Sequence, residues 1–191
     1  TFAFVMAMIF QSNAQQRNCA AHEIHEQAES HAFTKLVLSK NITHQVYADF
    51  LYNQHAVYHT LETVCGVRGL LTDLPGLCRA DLIREDLDAL NITTIKLYTS
   101  THKYTHYVAC NLTNDQLLAH LYVRHMGDMY GGQMIKNCVP GSGRMYNFEN
   151  RKELIQALRN KLDISMASEA IHCFGYAIQL FTELADEHNI Q

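Results

Sequence analysis

The sequence is poor in proline, has no excess of positive charge and contains no paired-cysteine motif. Its two prolines, Pro75 and Pro140, leave most of the 191 residues free to form uninterrupted helices, because proline disrupts a helix interior. The net charge of -4 offers no basic surface of the kind that binds nucleic acid. No internal repeat or low-complexity tract divides the chain. We therefore expect a single domain over 1–191 that does not bind nucleic acid.

The six cysteines stand at positions 19, 65, 78, 110, 138 and 173, and no two of them form a C-x-x-C pair. This spacing argues against a zinc knuckle and against a thioredoxin-type redox site. A chain of this length can bury enough apolar surface to fold without disulfides. We predict reduced thiols in a cytoplasmic protein.

Residues 1–12 contain a run of ten mostly apolar residues, TFAFVMAMIF. Ten residues are too few to cross a bilayer, which requires about 20. Two interpretations stay open: the core of a signal peptide, with 12–14 as a weak cleavage site, or an apolar helix end packed on the domain. The last residues, 189–191, carry no apolar tail, so no transmembrane anchor is expected.

Apolar residues recur at helical spacing between the turn signals of the chain. In 43–65 they follow one another at steps of three, four and seven, and 165–188 shows the same pattern, which places one apolar stripe on each helix. Strand signals are few, and 92–99 can be interpreted as extended or as helical. The spacing predicts an all-α fold with seven helices, near 13–30, 31–39, 43–65, 79–90, 113–137, 148–162 and 165–188.

Residues that cap helices agree with this pattern. Thr43 precedes the first stripe as a candidate N-cap. Thr113 and Gln116 have the spacing of a capping box. Ser165 is predicted to open the last helix.

Three glycines interrupt the predicted helix 113–137, each at a cost of about 1 kcal/mol relative to alanine. Gly127 and Gly131 are four residues apart and form a bare strip where the backbone can approach a flat molecule or bend. Arg124 and Asp128 share that face, whereas His125 points away from it. From spacing alone, the strip can equally pack against another helix.

A second group of polar residues lies near the N-terminus. His25 and Glu29 are an i, i+4 pair, close enough for the carboxylate to support an imidazole that binds iron. His22 competes with His25 as the ligand. A histidine beside a glutamate on a helix is also common as a plain surface pair.

Two motifs resemble the haem oxygenase family when they are taken together. His25-x-Gln27-Ala28-Glu29 resembles the proximal helix of that family, and Gly127-Asp128-x-x-Gly131-Gly132-Gln133 resembles its distal helix. Further matches are His120, Tyr122, Arg124, Phe174 and the segment 178–184. The resemblance covers 17–187, and the two motifs in this order and spacing are specific.

The resemblance implies a multi-helical bundle that holds haem b between a proximal helix and a kinked distal helix. It implies His25 as the iron ligand, supported by Glu29, and a water network at Asp128 that protonates the bound oxygen. The reaction would use O2 and external electrons to open the ring to biliverdin, expected to be the IXα isomer, with CO and Fe²⁺. The other residues assigned to the site are Gly127, Gly131, Gly132, Arg124, Tyr122 and Phe174.

The resemblance weakens where the haem propionates would bind. Lys152 matches one basic residue of the family pattern, but the neighbouring arginine aligns with Gln156. Arg159 lies one turn further and is a candidate substitute, and Arg17 stands where the family often has a lysine. Tyr130 replaces a serine common in the family; it either crowds the distal side or faces a neighbouring helix, and we favour the second.

The resemblance also implies partners. Electrons would come from reduced ferredoxin, flavodoxin or a reductase, a bilin reductase could act downstream, and the protein is expected to be a monomer. Three alternatives remain: a haem-binding protein that has lost turnover, a thiaminase-like protein of related fold with a cysteine nucleophile, and a helical interaction module.

Overall fold

The computed structural model describes residues 27–28 and 30–191. In that part of the chain the backbone forms eight α-helices and two short 3-10 turns, and no β-strand. The helices are α1 (Ala32–Leu38), α2 (His44–Val67), α3 (Ala80–Ala89), α4 (Thr99–Asn111), α5 (Asn114–Tyr130), α6 (Gly132–Ile135), α7 (Arg151–Asn160) and α8 (Ala167–Glu187). The 3-10 turns are Arg144–Tyr146 and Ile164–Met166. The predicted all-α class is confirmed.

The core forms where α2 and α8 pack across the other helices. α2 contacts α3, α4 and α5, and α8 contacts α1, α4 and α5. Val46, Val57 and Leu61 of the predicted stripe on α2 are buried, and burying such a side chain stabilises a fold by about 1.5–3 kcal/mol. None of the described helices is long and apolar enough to cross a bilayer.

Two of the three predicted caps are confirmed. The Thr43 hydroxyl accepts a hydrogen bond from the Val46 amide at 3.3 Å. The Thr113 hydroxyl accepts from the Gln116 amide at 3.3 Å, and the Gln116 side chain accepts from the Thr113 amide at 2.9 Å, which completes the capping box. Both caps satisfy backbone donors that the first turn of a helix leaves unpaired.

The prediction that Ser165 opens the last helix is wrong. α8 begins two residues later, at Ala167, and Ser165 lies in the second 3-10 turn. Its backbone N–H donates to the Asp163 carboxylate at 2.8 Å. The short aspartate side chain thus forms a local turn before the helix starts, as aspartates often do.

No helix was predicted over the residues that form α4. Residues 92–98 have no regular structure, and the helix begins at Thr99. Its start is capped from a distance, because the Glu183 carboxylate on α8 accepts hydrogen bonds from both the amide and the hydroxyl of Ser100. Tyr104 and Val108 are four residues apart and fully buried, so packing stabilises a helix whose own residues favour it weakly.

The predicted helix 113–137 divides into two at its glycines. α5 ends at Tyr130, Gly131 forms its C-cap, and α6 continues from Gly132 to Ile135. The Gly131 amide still donates to the Gly127 carbonyl, at 2.7 Å. The division at Gly131 therefore leaves that hydrogen bond intact.

Most of the predicted helix 13–30 lies outside the described residues, as does the apolar segment 1–12. Residues 27, 28 and 30 are helical. The other predicted boundaries agree with the structure to within three residues.

Candidate functional site

A cavity opens between α2, α5 and α8 and is closed at its sides by α1, α6 and the first 3-10 turn. It contains about 760 Å³ of empty space, including the part that is open to solvent. The lining residues are Ala28, Thr34, Phe50, Gln54, Tyr58, Val123, Arg124, Gly127, Asp128, Ile135, Tyr146, Phe174, Ala177 and Phe181. Most of them are apolar, with a few polar groups on one wall.

That polar wall is the face of α5 predicted from helical spacing. Arg124, Gly127 and Asp128 all line the cavity. His125 points away, as expected: its Nδ1 lies 2.9 Å from the Leu121 carbonyl, and its Nε2 lies 3.3 Å from the Glu62 carboxylate. The imidazole of His125 therefore belongs to the core and is not directed towards the cavity.

Asp128 is the carboxylate of the cavity. The Tyr58 hydroxyl on α2 donates to Asp128 Oδ2 at 2.5 Å. Burial raises the pKa of Asp128 to about 6, although the Tyr58 hydrogen bond and the nearby His125, Arg124 and Arg79 act in the opposite direction. A carboxyl group with such a pKa changes protonation close to neutral pH, which suits it to transferring protons.

Tyr58 keeps its own proton while it makes this contact. Its ring is fully buried, and burial together with the adjacent Asp128 carboxylate raises the pKa of Tyr58 well above its usual value. The phenol is therefore a fixed donor that holds the carboxylate in one orientation.

Arg124 carries a buried positive charge into the same wall. It is 8% exposed, and its guanidinium Cζ lies 4.7 Å above the ring centroid of Tyr104 on α4. Its Nε has no hydrogen-bond partner in the structure. An arginine in this position contributes a fixed positive charge beside Asp128.

The three glycines have different surroundings. Gly127 lines the cavity, whereas Gly131 and Gly132 are buried but are not part of its wall. A Cβ on Gly132 would overlap the ring of Tyr146. Gly132 thus lets α6 approach the 3-10 turn closely, and Tyr146 in turn lines the cavity.

Tyr130 faces α7, which is the interpretation favoured from the sequence. The Arg159 guanidinium donates to its hydroxyl at 2.5 Å, and the Cζ atoms of Arg151 and Arg159 lie 5.4 and 5.9 Å from its ring centroid. The Tyr122 hydroxyl is also hydrogen-bonded to Arg159. Neither Tyr122 nor Arg159 reaches the cavity wall.

The other predicted basic and aromatic residues separate into two groups. Phe174 lines the cavity as expected. Lys152 is exposed on α7 and does not line it, and Gln156 donates to Asn160 at 2.8 Å on the same exposed face. The structure thus brings none of the predicted α7 cations to the cavity.

His25, Glu29 and Arg17 lie outside the described residues, so the structure does not test them. Ala28, which belongs to the same motif, does line the cavity. Among the described residues, no three histidine, cysteine or acidic side chains are grouped as they would be around a metal ion.

The sequence analysis did not identify the polar chain behind Arg124. Glu169 on α8 accepts hydrogen bonds from His120 Nε2 at 2.8 Å, Tyr107 at 2.9 Å and Gln116 at 2.9 Å. Burial alone would raise the pKa of Glu169, but these hydrogen bonds lower it to about 2. His120 Nδ1 contacts the Tyr104 hydroxyl at 2.9 Å. The chain joins α4, α5 and α8 just outside the cavity.

The five cysteines in the described part of the chain are all free thiols. Cys173 is the one whose surroundings resemble those of an activated thiol, since it neighbours His120 and Arg124. Its sulfur is fully buried and does not line the cavity. A substrate in the cavity therefore has no contact with it, which speaks against the cysteine-nucleophile alternative.

An all-helical bundle with an apolar cavity against a divided, glycine-containing helix defines the class of protein. The Heme oxygenase family model matches residues 11–184. The chain therefore belongs to the haem oxygenase family.

Individual relatives agree with this assignment. Heme oxygenase 2 of Rattus norvegicus is 29% identical over 85% of this chain, and the match covers 62% of the rat protein. Heme oxygenase 2 of Macaca fascicularis is 36% identical over 41% of this chain and 31% of its own length. The chain thus spans less than two thirds of these curated relatives.

Solved structures share the fold. The heme oxygenase of Leptospira interrogans superposes with a TM-score of 0.76 at 23% identity, covering 95% of this chain and 98% of that one. Heme oxygenase-1 of Synechocystis sp. PCC6803, solved in complex with heme, gives 0.75 at 21% identity over 90% and 91%.

Proposed function

We propose that this protein is a haem oxygenase that binds haem b in the cavity and opens it to biliverdin, CO and Fe²⁺. The observation that carries the proposal is the assembly of Arg124, Gly127 and Asp128 on the wall of one apolar cavity. Family membership and the heme complex of the Synechocystis relative support it. The IXα isomer is the product we expect.

The cavity residues fit a flat apolar ring. Phe174 and Phe181 on α8 provide apolar surface, and Gly127 offers backbone without a side chain on the α5 wall. The unpartnered Nε of buried Arg124 and the Asp128 carboxylate supply polar groups at one edge. Apolar surface with a few placed polar groups is the usual composition of a cofactor site.

When bound, haem supplies both the iron that activates O2 and the ring that is opened. His25 is the proposed iron ligand, with Glu29 supporting the imidazole, and it stands three residues before the cavity residue Ala28. Asp128, held by Tyr58, is the proposed proton carrier and would act through water. Gly127 would let the ring approach α5, while Gly131 separates α5 from α6 and Gly132 lets α6 pack closely against the cavity residue Tyr146.

The haem propionates are anionic and require cations at the edge of the site. Arg17 is the proposed cation, because Lys152 does not line the cavity and Arg159 is already engaged by Tyr122 and Tyr130. We propose that Arg159 fixes α7 against the end of α5, a positioning role.

Haem binding is tested by titrating the protein with haemin and recording absorbance spectra. We expect a saturable Soret band for the wild type, a shifted or lost band for His25→Ala, and an unchanged band for the matched control His22→Ala. If the spectrum of His25→Ala were the same as that of the wild type, His25 would not be the iron ligand. A change in the control alone would transfer the assignment to His22.

Turnover is tested separately with haemin, air and a ferredoxin reducing system; flavodoxin or a reductase are the other donors to try. Decay of the Soret band with release of biliverdin supports the enzyme, and a bilin reductase would then have its substrate. A stable oxygen complex without biliverdin would support the second candidate, a haem-binding protein without turnover. Neither Lys152 nor Arg159 lines the cavity, and this observation favours that candidate.

Asp128→Ala tests the proton carrier. We expect this variant to bind haem and to lose biliverdin formation in favour of peroxidase-like oxidation of an added phenol. Asp128→Asn, which keeps the size of the side chain, should behave in the same way. An unchanged yield of biliverdin from both variants would refute the role of the carboxylate.

A further inference from the structure

Two histidines lie one helical turn apart on α2 and outside the cavity wall. His55 is half-buried and His59 is exposed. Their ring centroids are 5.7 Å apart, with an angle of 32° between the ring planes. Neither imidazole forms a hydrogen bond within the described part of the chain. The nitrogens of both rings therefore remain available to a ligand from solution.

The separation of the two rings suits a single metal ion held by both. Residues four apart on a helix lie on the same face. A zinc–nitrogen bond of about 2.0–2.1 Å puts the ring centroid about 3.2 Å from the ion, so two tetrahedral ligands have centroids about 5.2 Å apart. The observed separation exceeds this value by about half an ångström. A small rotation of the exposed His59 ring closes that difference.

The charges around His55 favour a bound cation. A metal ion binds the neutral imidazole and competes with protons for it. Burial lowers the pKa of His55, and the neighbouring His59 and Arg84 act in the same direction. Asp81 and Asp88 on α3 act in the opposite direction and place negative charge near the pair. Asp88 also pairs with Arg84 at 2.9 Å, which offsets the positive charge of that arginine.

A second pair of histidines has the same spacing but not the same geometry. His102 and His106 are four residues apart on α4, and no contact between their rings is seen. His106 Nδ1 lies instead 3.8 Å from the Cys110 sulfur. The spacing of the sequence alone therefore does not bring two imidazoles together, and the α4 pair provides an internal control.

We propose that His55 and His59 bind one divalent transition-metal ion on α2, with water completing its coordination. Imidazole is a suitable ligand for zinc, nickel and copper ions. Because only the folded helix holds the two rings together, binding of the ion stabilises the fold. The turn that the ion would bridge contains Tyr58, the hydrogen-bond donor to Asp128. The site does not depend on the proposed haem site.

Isothermal titration calorimetry of the haem-free full chain with Zn²⁺, at about pH 7.5 where imidazole is neutral, tests the site. The wild type should bind one more zinc ion per chain than His59→Ala. Since His59 is exposed, this variant should keep the fold. His102→Ala is the matched control and should bind as many ions as the wild type. Mg²⁺, which prefers oxygen ligands, should give no difference between the wild type and His59→Ala.

Thermal unfolding provides a second measurement. Saturating Zn²⁺ should raise the unfolding midpoint of the wild type and of His102→Ala more than that of His59→Ala. Lowering the pH to about 5 should remove this difference, because a protonated imidazole binds no metal. Equal zinc stoichiometry in the wild type and His59→Ala would overturn the proposal. An equal loss of zinc in His102→Ala, or a midpoint shift of the same size in all three proteins, would overturn it as well.

Discussion

Replacing Asp128 by asparagine should stabilise the haem-free protein above neutral pH. The pKa of Asp128 is raised from 3.8 to about 6, chiefly by burial. A raised pKa in the folded state means that folding binds the proton more tightly than the unfolded chain does. Stability is therefore highest when Asp128 is protonated and falls as the pH rises from about 4 towards 6.

The size of this effect follows from the shift. Each pKa unit corresponds to about 1.4 kcal/mol, so a shift of roughly two units costs about 3 kcal/mol at pH 8. At pH 4, close to the unfolded value, the same cost is below about 1 kcal/mol. Asparagine has no such cost and can still accept a hydrogen bond from Tyr58. The difference between Asp128→Asn and the wild type should thus grow with pH and level off above about 6.

Urea unfolding of both proteins from pH 4 to 8 measures this difference. Asp88→Asn is the control, because Asp88 is exposed and its ion pair with Arg84 contributes little. A difference between Asp128→Asn and the wild type that stays constant over this range would refute the reasoning. An equal pH dependence of the difference in unfolding free energy between Asp88→Asn and the wild type would also refute it.

Three further substitutions test the packing around the site. Glu62→Ala removes the carboxylate that accepts hydrogen bonds from the backbone amides of Arg79 and Ala80 at the start of α3, at 2.6 and 3.1 Å. This change should destabilise the protein by about 2–6 kcal/mol in urea unfolding, with Glu62→Gln losing less. Gly132→Ala places a methyl group against Tyr146 and should cost about 1–3 kcal/mol, seen as a lower midpoint of thermal unfolding. Thr113→Ala removes a cap and should cost about 1 kcal/mol by the same assay; an unchanged midpoint would contradict the role of the cap.

The sequence was sufficient for features that depend on local spacing. The stripe on α2, the caps at Thr43 and Thr113 and the face shared by Arg124 and Asp128 all follow from the period of the helix and from side chains three residues apart. Motif resemblance added the family, which spacing alone does not provide.

Features held together by distant residues could not be predicted. The start of α4 is capped by Glu183, which is 83 positions from Ser100 in the sequence. The hydroxyl that donates a hydrogen bond to Asp128 belongs to Tyr58, which is 70 positions away. Arg159 appeared available for a propionate because the sequence does not show that Tyr130 lies beside it in the fold. Each of these contacts is created by tertiary packing, and helical periodicity carries no information about it.

Glu62 connects the stability of the fold to the chemistry of the cavity. It lies one helical turn after Tyr58 on α2, and its carboxylate contacts the start of α3 and His125 on α5. Because Tyr58 and Glu62 lie on the same face of α2, we expect these contacts to help hold the Tyr58 hydroxyl towards Asp128. A substitution at Glu62 that still folds should therefore retune the proton affinity of Asp128 without touching the cavity. Selection for activity in this protein would then act on residues that a comparison of cavity linings alone would leave out.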